Sequence, residues 1–380
     1  MSLPQSSQHL RFLSAVTDSC LRAPFAQATL CQRNMQKLSD SIAWMAQRDG
    51  SVVIGHGPFF ANAAPPADGV SFYVQDFAFQ DSNPWKTPSR YERTTIAEFT
   101  RRFEHAPPLA CHWAPMDAVP FSGVFQEIMA SIQNETFEKT VPVVTEIGTA
   151  DQAPGASIVA AMSRQAAPLY SYGWCQPNSG FAGATPELLF SLRENRLETM
   201  ALAGTAKSED LAVFAVDEKE IREHEYVAQT LVSKLLDLGQ LERHPREILD
   251  LGSIVHFLTL INLQLDFPQS AENLLRRLHP TPALGPLPRT AKTLAMLLDW
   301  RNCLGCPLQF GAPFGLWDQG RFDAVVAIRG IWWQGNKLQL PAGCGIIEAS
   351  RLVNEWRELR LKREAVKRFL LPLHRIDTIN

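Results

Sequence analysis

Glu355, Glu358 and Lys362 stand at i, i+3 and i+7 on a predicted helix, which puts them within about 60° of one face. A second acidic pair at the same spacing, Glu220 and Glu223 followed by His224, lies far upstream on another predicted helix. Two carboxylate pairs on separate helices offer hard oxygen ligands, the donor type that suits Mg2+. Arg329 interrupts the apolar run from Val325 to Trp333, and the corner Ala342-Gly343-Cys344-Gly345 leaves backbone bare. A guanidinium fork and open amides suit an anion. These residues can therefore hold an anionic ligand and a hard cation together, although each acidic pair alone also reads as a solvated helix face.

Other residues with chemical potential are scattered. Lys139 opens the strand "FEKTVPVVTEI", Glu187 follows Pro186 at the entry of an apolar strand, and His256 lies inside "SIVHFLTLINLQL". His56 and His112 are isolated and read as structural groups. The seven cysteines are odd in number and scattered, which does not describe a disulfide framework. Cys303 and Cys306 form the one CxxC, without the further ligands a zinc site needs.

The elements that must position these groups alternate between strands and helices. Ala26 to Gln47 reads as one or two amphipathic helices, Ser51 to Gly57 as a strand breaking on glycine, and Ser71 to Phe79 as a strand. Thr94 to Phe103 and Ser122 to Gln133 read as helices, and Leu169 to Trp174 as a strand. Leu188 to Leu192 and Leu197 to Leu202 form a hairpin about Glu194-Asn195. Asp217 to Leu238 is a strong helix, acidic early and with Lys234 late, as the helix dipole favours. A proline-broken loop runs from His279 to Pro288. Val325 to Trp333 and Lys337 to Leu340 read as strands, and Ser350 as the N-cap of a helix through Arg368. Hairpins with helices between them argue for an α+β fold with mainly antiparallel sheet. No linker is visible, so residues 1–380 are expected to form one domain.

With 380 residues, 46% hydrophobic and 20% charged, the chain has the composition of a globular protein with a sizeable core. A net charge of −3 provides no footprint for nucleic acid or an anionic membrane. No apolar run approaches the roughly 20 residues of a membrane span, and the start lacks a signal peptide's pattern, so the expected location is cytoplasmic.

From Lys139 to Lys362 the chain resembles the chorismate-utilising enzymes, which include anthranilate synthase component I, aminodeoxychorismate synthase, isochorismate synthase and salicylate synthase. The segments "GATPELLF", "ALAGTA", "KEIREHEYV", "VHFLTL", "LHPTPALG", "GAPFG", "VVAIRG", "AGCGII" and "EWRELRLK" occur in the family's order. The resemblance implies a single large domain of two mostly antiparallel sheets packed face to face with helices outside. Residues 121–370 bear the motifs, and 1–120 are divergent. It also implies a Mg2+-dependent pocket for chorismate, with Glu223 and Glu358 ligating the metal and Glu220 and Glu355 holding its waters. The amides of Gly204, Thr205 and Ala206 would bind the ring carboxylate. Arg329, the Gly343 amide and Lys362 would bind the enolpyruvyl carboxylate. Ala283 and Leu284 would line the pocket, and His256 would lie near the departing hydroxyl.

Within the family, the nucleophile added at ring C2 decides the product. Ala203 stands where the amine-forming branch has its covalent lysine, and Lys139 where ammonia-using enzymes have glutamine. The resemblance thus implies water as nucleophile, Lys139 as general base and Glu187 as general acid to the C4 hydroxyl. An ordinary lysine, with a pKa near 10.4, needs burial to serve as a base. Ala283 in place of the threonine of salicylate synthases points to isochorismate synthase, whose product feeds menaquinone, catecholate siderophores and salicylate. Salicylate synthase is the alternative reading, and a catalytically degenerate chorismate-binding protein is another. Members of this branch are often monomers.

Overall fold

The computed structural model describes residues 41–371, which hold nineteen strands and eight helices. The strands are β1 (Ile42–Ala46), β2 (Ser51–Asn62), β3 (Val70–Val74), β4 (Trp85–Thr95), β5 (Cys111–Trp113), β6 (Lys139–Thr140), β7 (Val143–Ala150), β8 (Tyr170–Gln176), β9 (Ser179–Thr185), β10 (Leu188–Arg193), β11 (Arg196–Lys207), β12 (Gly239–Arg243), β13 (Glu247–Asp250), β14 (Ile254–Leu265), β15 (Pro313–Asp318), β16 (Arg321–Val326), β17 (Gly330–Gln334), β18 (Lys337–Gly343) and β19 (Ile346–Ile347). The helices are α1 (Ile96–Arg101), α2 (Val119–Gln133), α3 (Gly155–Ser163), α4 (Leu211–Phe214), α5 (Glu218–Leu235), α6 (Ala271–Leu278), α7 (Ala291–Cys303) and α8 (Leu352–Phe369).

Every strand pairing is antiparallel. Read by hydrogen-bonded neighbours, the strands run β5, β7, β18, β17, β9, β8, β1, β2, β4, β3, β15, β16, β10, β11 and β14, with β12 and β13 sharing the far edge of β14. Only β6 and β19 stand apart, as a pair of their own. In this order β9 and β10 are eight places apart, yet only Pro186 and Glu187 connect them. Eight strand spacings would be about 38 Å in a flat sheet, whereas the connection reaches about 10 Å. The sheet must fold over itself, giving the two facing layers of the expected α+β architecture. Aromatic side chains fill the space between, with Tyr172, Phe314 and Phe72 packed in sequence.

Some local expectations change. Ile42–Ala46 is a strand with all five residues buried, so the helix expected over Ala26 to Gln47 ends in β1, and residues 26–40 lie outside the described part. A short run apolar at every position fits a central strand as well as a helix, and length decides for the strand. Strand β2 continues through Gly55 and Gly57 to Asn62. The Gly55 site is crowded by Phe72, whose ring would lie 2.6 Å from an added Cβ, so glycine here permits close packing rather than ending the strand. Ser350 does not cap α8: the N-cap is Arg351, and the Ser350 hydroxyl accepts the Ile347 amide at 3.1 Å.

Helix α5 forms as its sequence demands. Asp217 accepts the Glu220 amide as N-cap, and Val227, Ala228, Leu231 and Leu235 are buried along one face. Burying each of the larger side chains contributes roughly 1.5–3 kcal/mol, well above helix propensity, so packing against β11 and β14 fixes the helix. Helix α8 packs on β18 and β11. The two helices thereby bring their acidic faces to the same end of the sheet.

Candidate active site

The two layers exchange strands at two neighbouring connections, and each carries a candidate residue. Glu187 sits between β9 and β10, and Arg329 between β16 and β17. The connections bond to one another: the Val326 amide donates to the Glu187 carbonyl at 3.0 Å, and the Ala184 amide to the Arg329 carbonyl at 3.1 Å. Arg329 is therefore not inside a continuous strand from Val325 to Trp333. It has a left-handed φ of 56°, a conformation that costs a non-glycine residue roughly 1–3 kcal/mol and recurs at functional sites. The turn out of the layer requires it.

The Arg329 guanidinium is buried. Its Nη2 donates to His256 Nε2 at 2.8 Å, and its Nη1 has no protein partner. His256 lies on β14 and places Nδ1 2.7 Å from the Gly204 carbonyl, which fixes the tautomer with the proton on Nδ1 and leaves Nε2 to accept from Arg329. Burial, then the Arg329 and Lys362 cations, hold the imidazole pKa well below its usual value, so the ring is neutral. Burial also lowers Arg329, to about 10. A buried cation with an unused donor is a built anion site.

Gly204 ends the regular pairing of β11 with β14, where a bulge between Ala203 and Ala206 breaks the register. Its φ of +76° favours glycine, and an added Cβ would lie 3.1 Å from Phe257 and 3.2 Å from the Glu220 carbonyl. The Thr205 amide, expected to bind substrate, here donates to Glu220 Oε2 at 2.8 Å.

Glu187 is buried and pushed up to about 7: desolvation raises it, against a Thr281 hydrogen bond and the Lys139, Lys362 and Arg329 cations. It holds a proton near neutral pH. Thr281 Oγ1 lies 3.4 Å from Glu187 Oε1. The loop that carries Thr281 is tied to Lys139. Leu287 and Lys139 exchange backbone bonds, with the Leu287 amide donating to the Lys139 carbonyl at 2.8 Å, and Lys139 Nζ donates to the Pro282 carbonyl at 2.7 Å. Lys139 has no exposed surface at all, and its Nζ is 3.3 Å from Glu223 Oε1.

A small cavity of about 60 Å3 is lined by Glu187, Gly204, Thr205, Glu223, His256, Ala283, Leu284, Arg329, Gly343 and Lys362 among others. Ala206, Glu220, Glu355 and Glu358 line an adjoining cleft instead. Lys139 lies behind the wall formed by Gly345. The Gly343 carbonyl, rather than its amide, is engaged, accepting Lys362 Nζ at 2.9 Å.

All four predicted metal-binding glutamates converge, each on a lysine. Lys219 Nζ lies 2.8 Å from Glu220, 3.4 Å from Glu223 and 3.4 Å from Glu355, while Lys362 is 2.6 Å from Glu358. Among the described residues no three acidic, histidine or cysteine side chains form a ready metal cage, and Lys219 reaches three of the four carboxyl groups. The donor set still suits a hard cation. Glu355 Oε2 is buried without a partner, and desolvation plus neighbouring carboxylates push Glu220 up to about 7 and Glu355 up to about 8. Burial alone would raise Glu223 too, but Lys139, Lys219 and Lys362 outweigh it and hold it near 2.

Sequence reasoning missed two residues here. A Cβ at Gly345 would lie 2.1 Å from Glu223 Oε1 and 2.8 Å from Lys139 Cε, so this glycine lets those groups meet. The Ala342–Gly345 corner was the available signal. Lys219 gave none beyond its place beside Glu220, since a lysine at the start of an acidic helix reads as an i, i+4 surface pair.

Residues 85–371 match the family described as chorismate binding enzyme, and the chain belongs to that family. Among curated relatives, it is 28% identical over 266 residues to the salicylate biosynthesis isochorismate synthase of Pseudomonas aeruginosa, a match covering 67% of this chain and 55% of that protein. It is 28% identical over 214 residues to isochorismate synthase MenF of Haemophilus influenzae, covering 51% and 46%. It is 27% identical over 330 residues to isochorismate synthase EntC of Escherichia coli K12, covering 82% and 79%. The first two matches span only about half the length of those relatives. The solved structure of MenF, the menaquinone-specific isochorismate synthase from Escherichia coli, shares the fold with a TM-score of 0.73 at 19% identity, over 90% of this chain and 91% of that one.

Proposed function

We infer that this chain converts chorismate to isochorismate, adding water at ring C2 as the C4 hydroxyl departs. The observation that carries the reading is a buried carboxyl on the cavity wall, Glu187, that keeps its proton to about pH 7, with the fully buried Lys139 directly behind the Gly345 wall of the same cavity. Lys139 accepts a proton from the attacking water. Glu187 gives its proton to the C4 hydroxyl, which leaves as water while the ring double bonds shift. One water enters and one leaves, so the reaction is an isomerisation. Thr281 orients the Glu187 carboxyl, and the backbone exchange between Lys139 and Leu287 holds acid, base and loop in register.

The free Nη1 of Arg329, with Lys362, receives the enolpyruvyl carboxylate, while neutral His256 keeps the guanidinium in place. Glu220, Glu223, Glu355 and Glu358 would hold Mg2+, which would supply positive charge to offset the carboxylates gathered at this site. Ala283, contributing only a methyl at the cavity wall, fits a reaction that stops at isochorismate. Incubating the chain with chorismate and Mg2+ and separating the products tests the reading. Isochorismate in equilibrium with chorismate is expected, whereas salicylate plus pyruvate as main products would reject it in favour of the salicylate synthase alternative.

A further inference from the structure

We propose that Lys219 is a built-in competitor for the metal: its ammonium occupies the carboxylate cluster when the cation is absent and must leave when the cation binds. This rests on the Mg2+-dependent reading above. Lys219 Nζ lies within 3.4 Å of carboxylate oxygens from both α5 and α8, namely Glu220, Glu223 and Glu355. A surface i, i+4 pair touches one partner on its own helix; this lysine ties two helices together. Lys139 and Lys362 hold Glu223 and Glu358 from the other side, at 3.3 and 2.6 Å. Three lysine side chains thus meet four carboxyl groups in one cluster. A divalent cation in place of the Lys219 ammonium would bring two positive charges where one stands, against the same carboxyl groups. The partnerless Oε2 of Glu355, on a residue only 1% exposed, marks a coordination position the lysine does not fill.

Lys219 also has a way out. It is the second residue of α5, in the first turn, and its side chain is 20% exposed on the cleft lined by Asp210, Asp217 and Arg357. It can rotate to solvent while the helix stays packed through Val227, Leu231 and Leu235. The consequence is a metal affinity set below what four carboxylates would otherwise give, and a cluster that does not fly apart in the metal-free protein.

Titration calorimetry of the full chain and its Lys219→Met variant with MgCl2, alongside thermal melts with and without the metal, tests this. The variant is expected to bind Mg2+ at least about tenfold more tightly, to melt lower than wild type without metal, and to gain more from Mg2+. Amine-selective methylation of wild type, read by mass spectrometry, needs no variant: Lys219 labelling should rise about fivefold or more when Mg2+ is added. Equal or weaker Mg2+ binding by the variant, or Lys219 labelling unchanged by Mg2+, overturns the proposal while leaving the metal-dependent reading intact. A wild-type chain that binds no Mg2+ overturns both.

Discussion

Replacing Gly345 by alanine isolates the geometry of the Lys139–Glu223 contact from everything else in the site. Gly345 has no left-handed φ, so alanine suits its backbone and the perturbation is the new methyl alone. That Cβ would stand 2.1 Å from Glu223 Oε1 and 2.8 Å from Lys139 Cε. The first contact is about 1.3 Å short of ordinary van der Waals separation, so the carboxylate must move by about that distance, taking the lysine with it. Both colliding atoms lie near the ends of long side chains, so the fold tolerates the change at about 1–2 kcal/mol. The chemistry does not: displacing a reacting group by about 1 Å costs on the order of 10²-fold in rate, or about 2.7 kcal/mol in the barrier. Steady-state conversion of chorismate, with isochorismate quantified by chromatography, should show kcat down about 100-fold. A matched control is Gly123→Ala, in α2 with nothing within 4 Å of its added Cβ. It should leave kcat unchanged and add about 0.5–1 kcal/mol of stability. Wild-type kcat in Gly345→Ala would refute the claim that Lys139 and Glu223 must meet at this glycine.

Glu187 keeps its proton up to about pH 7, against an ordinary 4.5, so kcat/KM should fall as pH rises through 7. Glu187→Gln should lose about 10²- to 10⁴-fold in rate and lose that alkaline limb; an unchanged limb in the variant assigns it to another group. Lys139→Ala should lose turnover by a similar factor while chorismate binding, followed by calorimetry, stays within about threefold, and near-wild-type turnover would remove the base assignment. Arg329→Met deletes the free donor at the cavity wall and should raise KM about 10- to 150-fold, the value of one charge-assisted bond of roughly 1.5–3 kcal/mol; a change under threefold would place the substrate carboxylate elsewhere.

Much of this architecture was legible wherever one residue's neighbours in sequence are also its neighbours in space. The hairpin of β10 and β11 pairs Leu192 with Leu197 about Glu194, whose left-handed φ of 55° closes the turn. Helix α5 announced itself through its cap, its charge gradient and its apolar face. Strand β4 escaped because its mixture of Lys86, Pro88, Arg90, Glu92 and Arg93 has neither apolar alternation nor a clean boundary. Strand β9 escaped because Gly180 and Gly183 look like loop residues; they are needed for close approach to Trp333 and Tyr172. Arg329 reads as a strand residue because β16 and β17 together form one apolar run in the sequence. What separates them is the exchange between layers, which depends on Glu187 lying alongside, 142 residues upstream. Lys219 was invisible for the same reason, since its partner Glu355 comes from the other end of the chain.

Running the reaction in water enriched in 18O puts the central claim, water activated by Lys139 and delivered to ring C2, to the most direct test. Mass spectrometry of the earliest isochorismate should show one heavy oxygen in the hydroxyl at C2, with labelled product forming about 10²- to 10⁴-fold more slowly when Lys139→Ala is used. Isochorismate without label, or anthranilate as the product when ammonium is supplied, would contradict it.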